Sequence, residues 1–272
     1  MRPIVLLTDF GTSDGYVAAM KGVVLSLLPG ALLVDGAHDI PAGSVSAAAY
    51  ALYSYLGVYP ADTVHLVVVD PGVGTARRGI VARVGQQWFV GPDNGLLSLV
   101  WDGGEVFELD RPEHWRMPLS ATFHGRDVFA PVAAKLAAGV PPDRLGTRTT
   151  EPPVVTTTLG ATPGADEASL RARVIHVDRF GNLITSARAS DLPDSFIVQA
   201  GPATIVGPSR TYADVQPGET LAYVGSTGLL EVAVREGNAS ARLGLSEGDG
   251  IEIRKRRRGN PRLSEDNAWP SW

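Results

Sequence analysis

The chain has 272 residues, of which 44% are hydrophobic and 19% charged, and its formal net charge is −5. These values are typical of a globular protein with one large or two modest domains, and the mild acidity argues against a nucleic-acid-binding protein. The sequence has no cysteine, which excludes disulfides, thiolate nucleophiles and cysteine-based metal sites. Neither a signal-peptide pattern nor a membrane-spanning stretch is found, so we expect a cytoplasmic protein.

The first half of the chain alternates between strand-like and helix-like segments. Strands are predicted at residues 4–7, 31–35 and 63–69, and helices at residues 16–28 and 44–56. Two more strands joined by a turn at residues 85–87, a short helix at 96–101 and a helix at 128–138 follow. This order predicts an α/β domain over residues 1–150, built on a mostly parallel sheet with helices on both faces.

The second half of the chain has a different pattern. Residues 151–168 are poor in large apolar side chains and rich in proline, glycine and threonine, which indicates an inter-domain linker. Short strands separated by turns then predict an all-β, barrel-like domain over residues 169–255. Residues 256–272 are expected to form a disordered tail.

The run LTDFGT at residues 7–12 follows the first predicted strand. Ligands of open α/β sheets bind at the carboxyl ends of the strands, and a carboxylate there can accept hydrogen bonds from both hydroxyls of a ribose. Asp9 is therefore a candidate ribose ligand with Phe10 beside it, and the alternative is an aspartate that caps a helix. A kinase is not indicated, because no glycine-rich phosphate loop or catalytic-loop motif accompanies the DFG triplet.

Two more runs carry charged groups that could take part in catalysis. In VDPGVGTARR at residues 69–78, proline and glycines predict a tight turn across which Asp70 and Arg77 can face each other. The alternative is a structural turn with a surface ion pair. In TFHGRD at residues 122–127, His124 precedes a glycine at a helix entrance, which suits a functional loop. The chain has five histidines and no His-x-x-x-His pair, so no metal site is expected.

Two runs of the second domain could contact a ligand. In VDRFGNLIT at residues 177–185, Asp178 and Asn182 flank a glycine turn and could hold an ammonium and a carboxylate, or simply close a hairpin. The glycine-flanked loop in GSTGLLEVAV at residues 225–234 leads into a strand and offers backbone donors and acceptors to a purine.

Together, and in this order, these runs resemble those of the S-adenosyl-L-methionine (SAM) hydroxide adenosyltransferase family, which is related to the fluorinases and chlorinases. The resemblance extends over nearly all of residues 4–253. It implies an α/β domain followed by a β-barrel domain, and a homotrimer in which SAM lies between the first domain of one subunit and the second domain of its neighbour. SAM is then the substrate, and no cofactor is implied.

The resemblance also implies roles for individual residues, with Asp70, Arg77 and His124 as a catalytic triad. The implied substrate contacts are Asp9 at the ribose, Asp178 and Asn182 at the methionine portion, and Ser226, Glu231 and the backbone of Val234 on the adenine side. Phe10 and Phe180 are further expected contacts.

The implied reaction is hydrolysis of SAM to adenosine and L-methionine through substitution at the ribose C5′ carbon. Asp70 and His124 would orient a water molecule and accept its proton, while Arg77 would lend positive potential to the developing hydroxide. One alternative is halide-dependent adenosyl transfer, which a carboxylate beside the nucleophile disfavours. Others are a SAM- or adenosine-binding protein without turnover, and a metal-dependent phosphohydrolase.

Overall fold

The computed structural model describes residues 2–164 and 169–256, and the chain divides into two compact units, Met1–Leu159 and Gly160–Trp272. The division falls inside the segment 151–168 that was expected to be a linker. Before this boundary, the backbone N–H of Val154 donates to Asp93 Oδ1 at 2.8 Å and that of Thr156 donates to Ser98 Oγ at 2.9 Å. The part of the segment that contains these two residues is therefore attached to the first unit. Of the predicted tail, Arg256 is described, and its N–H donates to Ser195 O at 3.0 Å. The rest of the tail lies outside the described residues.

The first unit combines strands with helices, as predicted. Its strands are β1 (Ile4–Thr8), β2 (Leu33–Ala37), β3 (Val64–Val68), β4 (Gly79–Val84), β5 (Gln87–Pro92), β6 (Val106–Glu108) and β7 (Thr147–Thr149). Its helices are α1 (Tyr16–Leu27), α2 (Val45–Leu56), α3 (Ala130–Ala137) and α4 (Pro142–Leu145), with a 3₁₀ turn at Pro112–His114 and a π-helix at Gly125–Phe129. None of the helices in the described ranges has the length and apolar character needed to span a lipid bilayer.

The strands of the first unit form one sheet in the order β2-β1-β3-β5-β4-β6-β7. The four strands β2, β1, β3 and β5 are parallel, whereas the pairs β5–β4, β4–β6 and β6–β7 are antiparallel. The prediction of a mostly parallel sheet is therefore wrong, because half of the pairings are antiparallel and the sheet is mixed. The tight turn at Gly85 and Gln86 leaves no room for the crossover that a parallel pair requires.

Apolar side chains cover both faces of this sheet. Ile4 and Leu6 of β1 pack with α1 and α3 in one core, whereas Leu7 packs with α2 in another. Alternate side chains of a strand point to opposite faces, so helices lie against both sides of the parallel strands. Helix α2 begins as expected, with the Ser44 hydroxyl accepting the Ala47 N–H at 3.3 Å.

Two helix predictions are wrong in detail. Residues 96–100 form hydrogen-bonded turns after Gly95, whose φ is +109°, and no helix. The helix predicted at residues 128–138 begins instead as a π-helix that continues into α3. Pro131 has no N–H to donate to Asp127 O, and that carbonyl accepts the Arg116 N–H at 2.7 Å.

The second unit is a β-sheet domain with one short helix among its described residues. Its strands are β8 (Thr162–Pro163), β9 (Ser169–Val177), β10 (Leu183–Arg188), β11 (Phe196–Ala200), β12 (Ala203–Gly207), β13 (Thr220–Val224), β14 (Leu229–Val234) and β15 (Gly250–Lys255), and its helix is α5 (Ala239–Leu243). Single 3₁₀ turns lie at Ala189–Asp191 and Tyr212–Asp214.

These strands form a sheet in the order β12-β11-β15-β9-β10-β14-β13, with β8 also paired to β9, and every pairing is antiparallel. The edge strands approach each other, since Ser209 N, just after β12, donates to Ala222 O of β13 at 2.8 Å. The sheet is therefore nearly closed into a barrel around one apolar core.

Candidate functional site

Three charged or titratable side chains of the first unit meet beyond the carboxyl end of β3. Arg77 Nε lies 2.9 and 3.0 Å from the two oxygens of Asp70, and Arg77 Nη2 also donates to Asp70 Oδ2. The same Nη2 lies 2.9 Å from His124 Nδ1. The Asp70 side chain is 5% exposed and that of Arg77 13% exposed, so this is a buried ion pair rather than a surface one. The structure brings all three predicted catalytic residues together.

Two glycines allow these loops to approach one another. Gly74 has a φ of +76°, and a Cβ at this position would lie 2.5 Å from the carbonyl oxygen of Ala121. The loop that carries Asp70 therefore packs directly on the segment that leads to His124. A Cβ on Gly125 would lie 3.2 Å from side-chain atoms of Met20 and Val68, so this glycine lets the π-helix sit against the sheet.

The contact with Arg77 defines the hydrogen-bonding role of His124. An arginine side chain only donates, so Nδ1 is the acceptor and a neutral His124 carries its proton on Nε2. Burial and the positive charge of Arg77 lower the pKa of His124, although Asp70 and Asp127 act in the opposite direction. His124 is therefore a neutral ring at neutral pH that can donate from Nε2.

Asp127 anchors the π-helix that begins after His124. Its side chain is fully buried and accepts Arg126 Nε at 2.7 Å, Arg126 Nη2 at 2.8 Å, Ser120 N at 2.9 Å and Arg116 Nη1 at 3.1 Å. Burial raises the pKa of Asp127, but the hydrogen bonds from Arg126, Ser120 and Arg116 outweigh burial and leave it lowered. These hydrogen bonds and ion pairs around a buried carboxylate hold the backbone next to His124 in place.

Asp9 lies just after β1, where the sequence predicts a ribose ligand. Its Oδ2 accepts the Gly43 N–H at 2.8 Å, while its Oδ1 is buried and accepts no hydrogen bond from any residue the structure describes. Gly43 lies before α2, and a Cβ there would be 3.8 Å from Pro71 Cβ, so the backbone that holds the Asp9 carboxylate lies beside the Asp70 loop. A buried acceptor without a donor is unfavourable in the free protein and favours a ligand hydroxyl at this point.

A network that the sequence analysis missed holds the residues around Asp9. His38 Nδ1 shares a hydrogen bond of 2.8 Å with Thr8 Oγ1, His38 Nε2 lies 2.8 Å from Asp35 Oδ1, and the His38 carbonyl accepts the Gly11 N–H at 2.8 Å. His38 is nearly inaccessible to solvent. It therefore connects β1 and β2 at the end of the sheet where Asp9 lies.

The ring of Phe10 belongs to an aromatic cluster next to His124. Phe10, Tyr16 and Phe123 have ring centroids 5.3 to 5.8 Å apart. Tyr16 and Phe123 were not predicted as site residues, although Phe123 directly precedes His124. The cluster gives the Asp9–Phe10 segment an apolar wall on the same side of the sheet as His124.

In the second unit, Asp178 and Asn182 close the loop between β9 and β10. Asp178 Oδ1 accepts the backbone N–H of Phe180 at 2.9 Å and of Asn182 at 2.8 Å, and its Oδ2 accepts Asn182 Nδ2 at 2.9 Å. Gly181 has a φ of +82°, as the turn requires. The Phe180 ring is 75% exposed at the tip of this loop.

A chain of hydrogen bonds leads from this loop to Glu231. Asn182 Nδ2 donates to the Tyr212 hydroxyl at 3.0 Å, the hydroxyls of Tyr212 and Tyr223 are 2.6 Å apart, and Tyr223 donates to Glu231 Oε2 at 2.6 Å. Burial raises the pKa of Glu231, and the charge of Asp178 adds to this effect although the bond from Tyr223 opposes it. The structure therefore joins three predicted residues through two tyrosines that the sequence analysis missed.

Ser226 and Val234, also predicted as ligand contacts, are not part of this chain of hydrogen bonds. Ser226 is exposed in the turn between β13 and β14. Its neighbour Gly225 makes room for Glu231, because a Cβ there would overlap the Glu231 carboxylate. Val234 is the buried last residue of β14, and its carbonyl accepts the Gly237 N–H at 3.1 Å. Over residues 2–164 and 169–256, no group of three or more His, Asp or Glu side chains is placed to hold a metal ion.

Comparison with known proteins gives the same family for both units. The family model described as SAM hydroxide adenosyltransferase N-terminal domain matches residues 4–146, and that of the C-terminal domain matches residues 172–252. A solved structure of an uncharacterized conserved protein from Thermotoga maritima is similar with a TM-score of 0.82 at 36% identity, covering 93% of this chain and all of that one.

Individual relatives are similar over almost their whole length. An (R)-S-adenosyl-L-methionine hydrolase of Thermus thermophilus is 45% identical over 93% of this chain and 100% of its own, and one of Salinispora tropica is 42% identical over 90% and 95%. A fluorinase of Actinopolyspora mzabensis is 26% identical over 93% and 97%. The chain therefore belongs to the SAM hydroxide adenosyltransferase family.

Proposed function

We propose that this chain hydrolyses SAM to adenosine and L-methionine by attack of water or hydroxide on the ribose C5′ carbon. The observation that carries the proposal is the meeting of Asp70, Arg77 and His124 at the carboxyl end of β3, beside Asp9 with its unpaired buried oxygen. Relatives named (R)-S-adenosyl-L-methionine hydrolase, 32–45% identical over at least 90% of the chain, support the same activity.

The chemistry of the reaction explains which groups are needed. The water oxygen forms a bond to C5′ while the C5′–S bond breaks. The electron pair of the C5′–S bond remains on sulfur, which becomes the thioether of methionine. One proton is released from the water. The sulfonium leaves without a general acid, so the difficulty is the weak nucleophile and its alignment.

The geometry of the charged cluster favours Asp70 over His124 as the acceptor of the water proton. Nδ1 of His124 is already occupied by Arg77, and Nε2 of the neutral ring carries a hydrogen. The Asp70 carboxylate accepts from Arg77 but has about four lone-pair sites, so it retains room for a water donor. In this proposal Arg77 orients both partners, and the His124 Nε2–H donates to the water oxygen.

The alternatives from the sequence analysis give different products. A halide at the nucleophile position would lie beside the Asp70 carboxylate, and the repulsion disfavours it. Halogenation would yield a 5′-halogenated nucleoside in high salt, and a SAM-binding protein without turnover would yield no nucleoside.

The direct test is to incubate the purified protein with SAM in water enriched in oxygen-18 and to separate the products by chromatography. We expect adenosine that carries the label on its 5′-oxygen, together with L-methionine, in low or high halide. Unlabelled adenosine would rule out attack of water at C5′, and absence of any nucleoside would rule out turnover.

Two aspartates at opposite ends of β3 provide a matched pair of variants. Asp70 lies two residues after the strand, and Asp62 two residues before it, with Asp62 Oδ1 3.0 Å from Arg83 Nη1. We expect Asp70→Ala to lower kcat by about 10²–10⁴-fold while SAM still binds in calorimetry. Asp62→Ala removes a half-exposed aspartate that belongs to no predicted site, and this variant should keep its activity. Equal activity of the two variants would contradict the role of Asp70.

We further propose that the second unit contributes the predicted contacts Asp178, Phe180, Asn182, Ser226, Glu231 and Val234, that the active protein is a cytoplasmic homotrimer, and that no cofactor is required. The exposed ring of Phe180 supports a contact outside its own loop. Mixing an Asp70→Ala protein with an Asn182→Ala protein tests the shared sites, if activity is assayed at a SAM concentration well below the KM of the Asn182 variant. On subunit exchange, activity should exceed the sum of the two separate proteins if one site takes residues from two subunits, and should equal that sum otherwise.

A further inference from the structure

We propose that Tyr212 and Tyr223 are positioning residues that orient the Asn182 amide, so that its Oδ1 faces the substrate as an acceptor for an amino N–H donor. The inference rests on the proposed function, since the substrate considered is SAM. It assigns a task to two tyrosines outside the predicted set of site residues, and it makes Asn182 a determinant of specificity.

The first argument comes from Asp178. An ionised carboxylate can only accept hydrogen bonds, and Asp178 already accepts the N–H groups of Phe180 and Asn182. Its Oδ2 lies 2.9 Å from the side-chain amide of Asn182, so the amide must present its NH₂ group to it. An Asn182 amide rotated by 180° would place two acceptors against each other.

The second argument comes from Glu231, at the other end of the hydrogen-bond chain, and gives the same orientation of the Asn182 amide. Glu231 accepts the proton of the Tyr223 hydroxyl at 2.6 Å. The Tyr223 oxygen is then free to accept the Tyr212 proton across 2.6 Å, and the Tyr212 oxygen accepts the second N–H of Asn182 at 3.0 Å. Each hydroxyl donates once towards Glu231 and accepts once from the side of Asn182.

Both N–H groups of the Asn182 amide are therefore used within the protein, and Oδ1 is left over. This oxygen accepts no hydrogen bond from the residues at 2–164 and 169–256. A fixed acceptor of this kind selects a donor and rejects another acceptor, because a mismatched group leaves a polar atom unpaired.

SAM carries two amino groups that could supply this donor, the α-ammonium of the methionine portion and the 6-amino group of adenine. Both groups can donate an N–H hydrogen bond, so Asn182 Oδ1 would accept the same kind of donor from either. Two analogues separate them: one lacks the α-amino group, and the other carries a keto oxygen in place of the 6-amino group.

Tyr212→Phe is the informative variant because the Tyr212 side chain is at the surface, 41% exposed, and can lose its hydroxyl without leaving a cavity. The Asn182 amide then loses one of its two anchors. We expect KM for SAM to rise about threefold to tenfold with kcat within twofold of the wild type. Tyr223→Phe should act in the same direction. Tyr59→Phe is the control, since the Tyr59 hydroxyl makes no hydrogen bond within the described residues.

The decisive measurement is discrimination, taken as the ratio of kcat/KM for SAM to that for each analogue. For the wild-type protein, the ratio should be high for the analogue that lacks the donor bound by Asn182 Oδ1. Tyr212→Phe should lower this ratio and leave the ratio for the other analogue unchanged. Unchanged ratios for both analogues, or a fall in kcat with KM constant, would overturn the proposal. If the wild type releases no adenosine, the proposed function fails, and dissociation constants of the same three compounds still test the orientation of Asn182.

Discussion

The two units of this protein build their polar clusters in opposite ways. In the first unit, Asp70 and Arg77 form a buried ion pair that also holds His124, and the cluster depends on full charges. In the second unit, Asn182, two tyrosines and Glu231 form a chain of hydroxyl and amide hydrogen bonds. The first arrangement can stabilise a charge that develops during a reaction, whereas the second fixes the direction of donors and acceptors and suits recognition.

Burial acts on both clusters but shifts the two titratable groups in opposite directions. It disfavours the charged form of each, so it lowers the pKa of His124 and raises that of Glu231. The neighbouring Arg77 adds to the shift of His124, while the Tyr223 hydroxyl opposes that of Glu231. The clusters should therefore respond differently to mutation and to pH, and four predictions test this difference.

The largest effect is expected from Arg77→Ala, which leaves the buried Asp70 carboxylate without its partner. Breaking a buried pair from one side costs about 3–5 kcal/mol of unfolding free energy, and activity should disappear with it. Chemical denaturation measures the loss. Arg83→Ala breaks the more accessible pair with Asp62, whose side chains are 27% and 49% exposed, and should cost only about 1 kcal/mol. Similar losses in both variants would mean that the Asp70–Arg77 pair is not buried in solution.

The next effect tests how the loops of the first unit are held together. Gly74→Ala introduces a side chain at a φ of +76° and forces its Cβ against the carbonyl of Ala121. We expect a loss of about 2–4 kcal/mol and at least a tenfold fall in kcat, because His124 moves away from Arg77. Gly30→Ala has the same left-handed strain, at a φ of +82°, but open space around it. It should cost about 1–2 kcal/mol with kcat unchanged. A normal kcat in the Gly74 variant would contradict this packing.

Much of the first cluster could be predicted because it follows simple rules of α/β sheets. Asp9 and Asp70 come one and two residues after buried strands, and the carboxyl ends of parallel strands share one edge of the sheet. The glycines that follow Asp70 indicated a tight turn. By contrast, the mixed sheet was missed because the prediction extended the strand–helix alternation of the first strands to the whole domain. The short turn between β4 and β5 requires an antiparallel pair.

The second cluster could be predicted only in part, because it depends on contacts between residues far apart in sequence. Tyr212 and Tyr223 lie 30 and 41 positions after Asn182, and no local pattern marks either tyrosine as part of a hydrogen-bond chain. His38 was missed for a similar reason, since its partner Thr8 lies 30 positions earlier, at the end of β1. The π-helix also depends on a distant donor, the N–H of Arg116.

The pH dependence of activity probes the first cluster. The pKa of His124 is lowered, so we expect kcat/KM to be level near neutral pH and to fall about tenfold per unit below a midpoint under the ordinary histidine value of about 6.5. Protonation removes the acceptor for Arg77 and places two cations side by side. His124→Asn keeps an acceptor but does not titrate, so its profile should lose this acid limb. An acid limb that persists in this variant would assign it to another group.

The smallest effect is expected from Glu231→Gln, and it concerns stability rather than rate. The pKa of Glu231 is higher in the folded than in the unfolded state. At low pH the side chain is protonated in both states, and its ionisation does not affect the unfolding free energy. As pH rises above the unfolded-state pKa and then through the folded-state pKa, the buried charge lowers the unfolding free energy. The glutamine can still accept the Tyr223 hydroxyl but carries no charge. The unfolding free energy of the variant relative to the wild type should therefore increase from pH 4 to pH 7 in denaturant titrations, with Glu236→Gln, at an exposed position, showing no such trend. A relative stability that falls over this range would mean that the charged carboxylate stabilises the barrel, and the contrast between the two clusters would then be wrong.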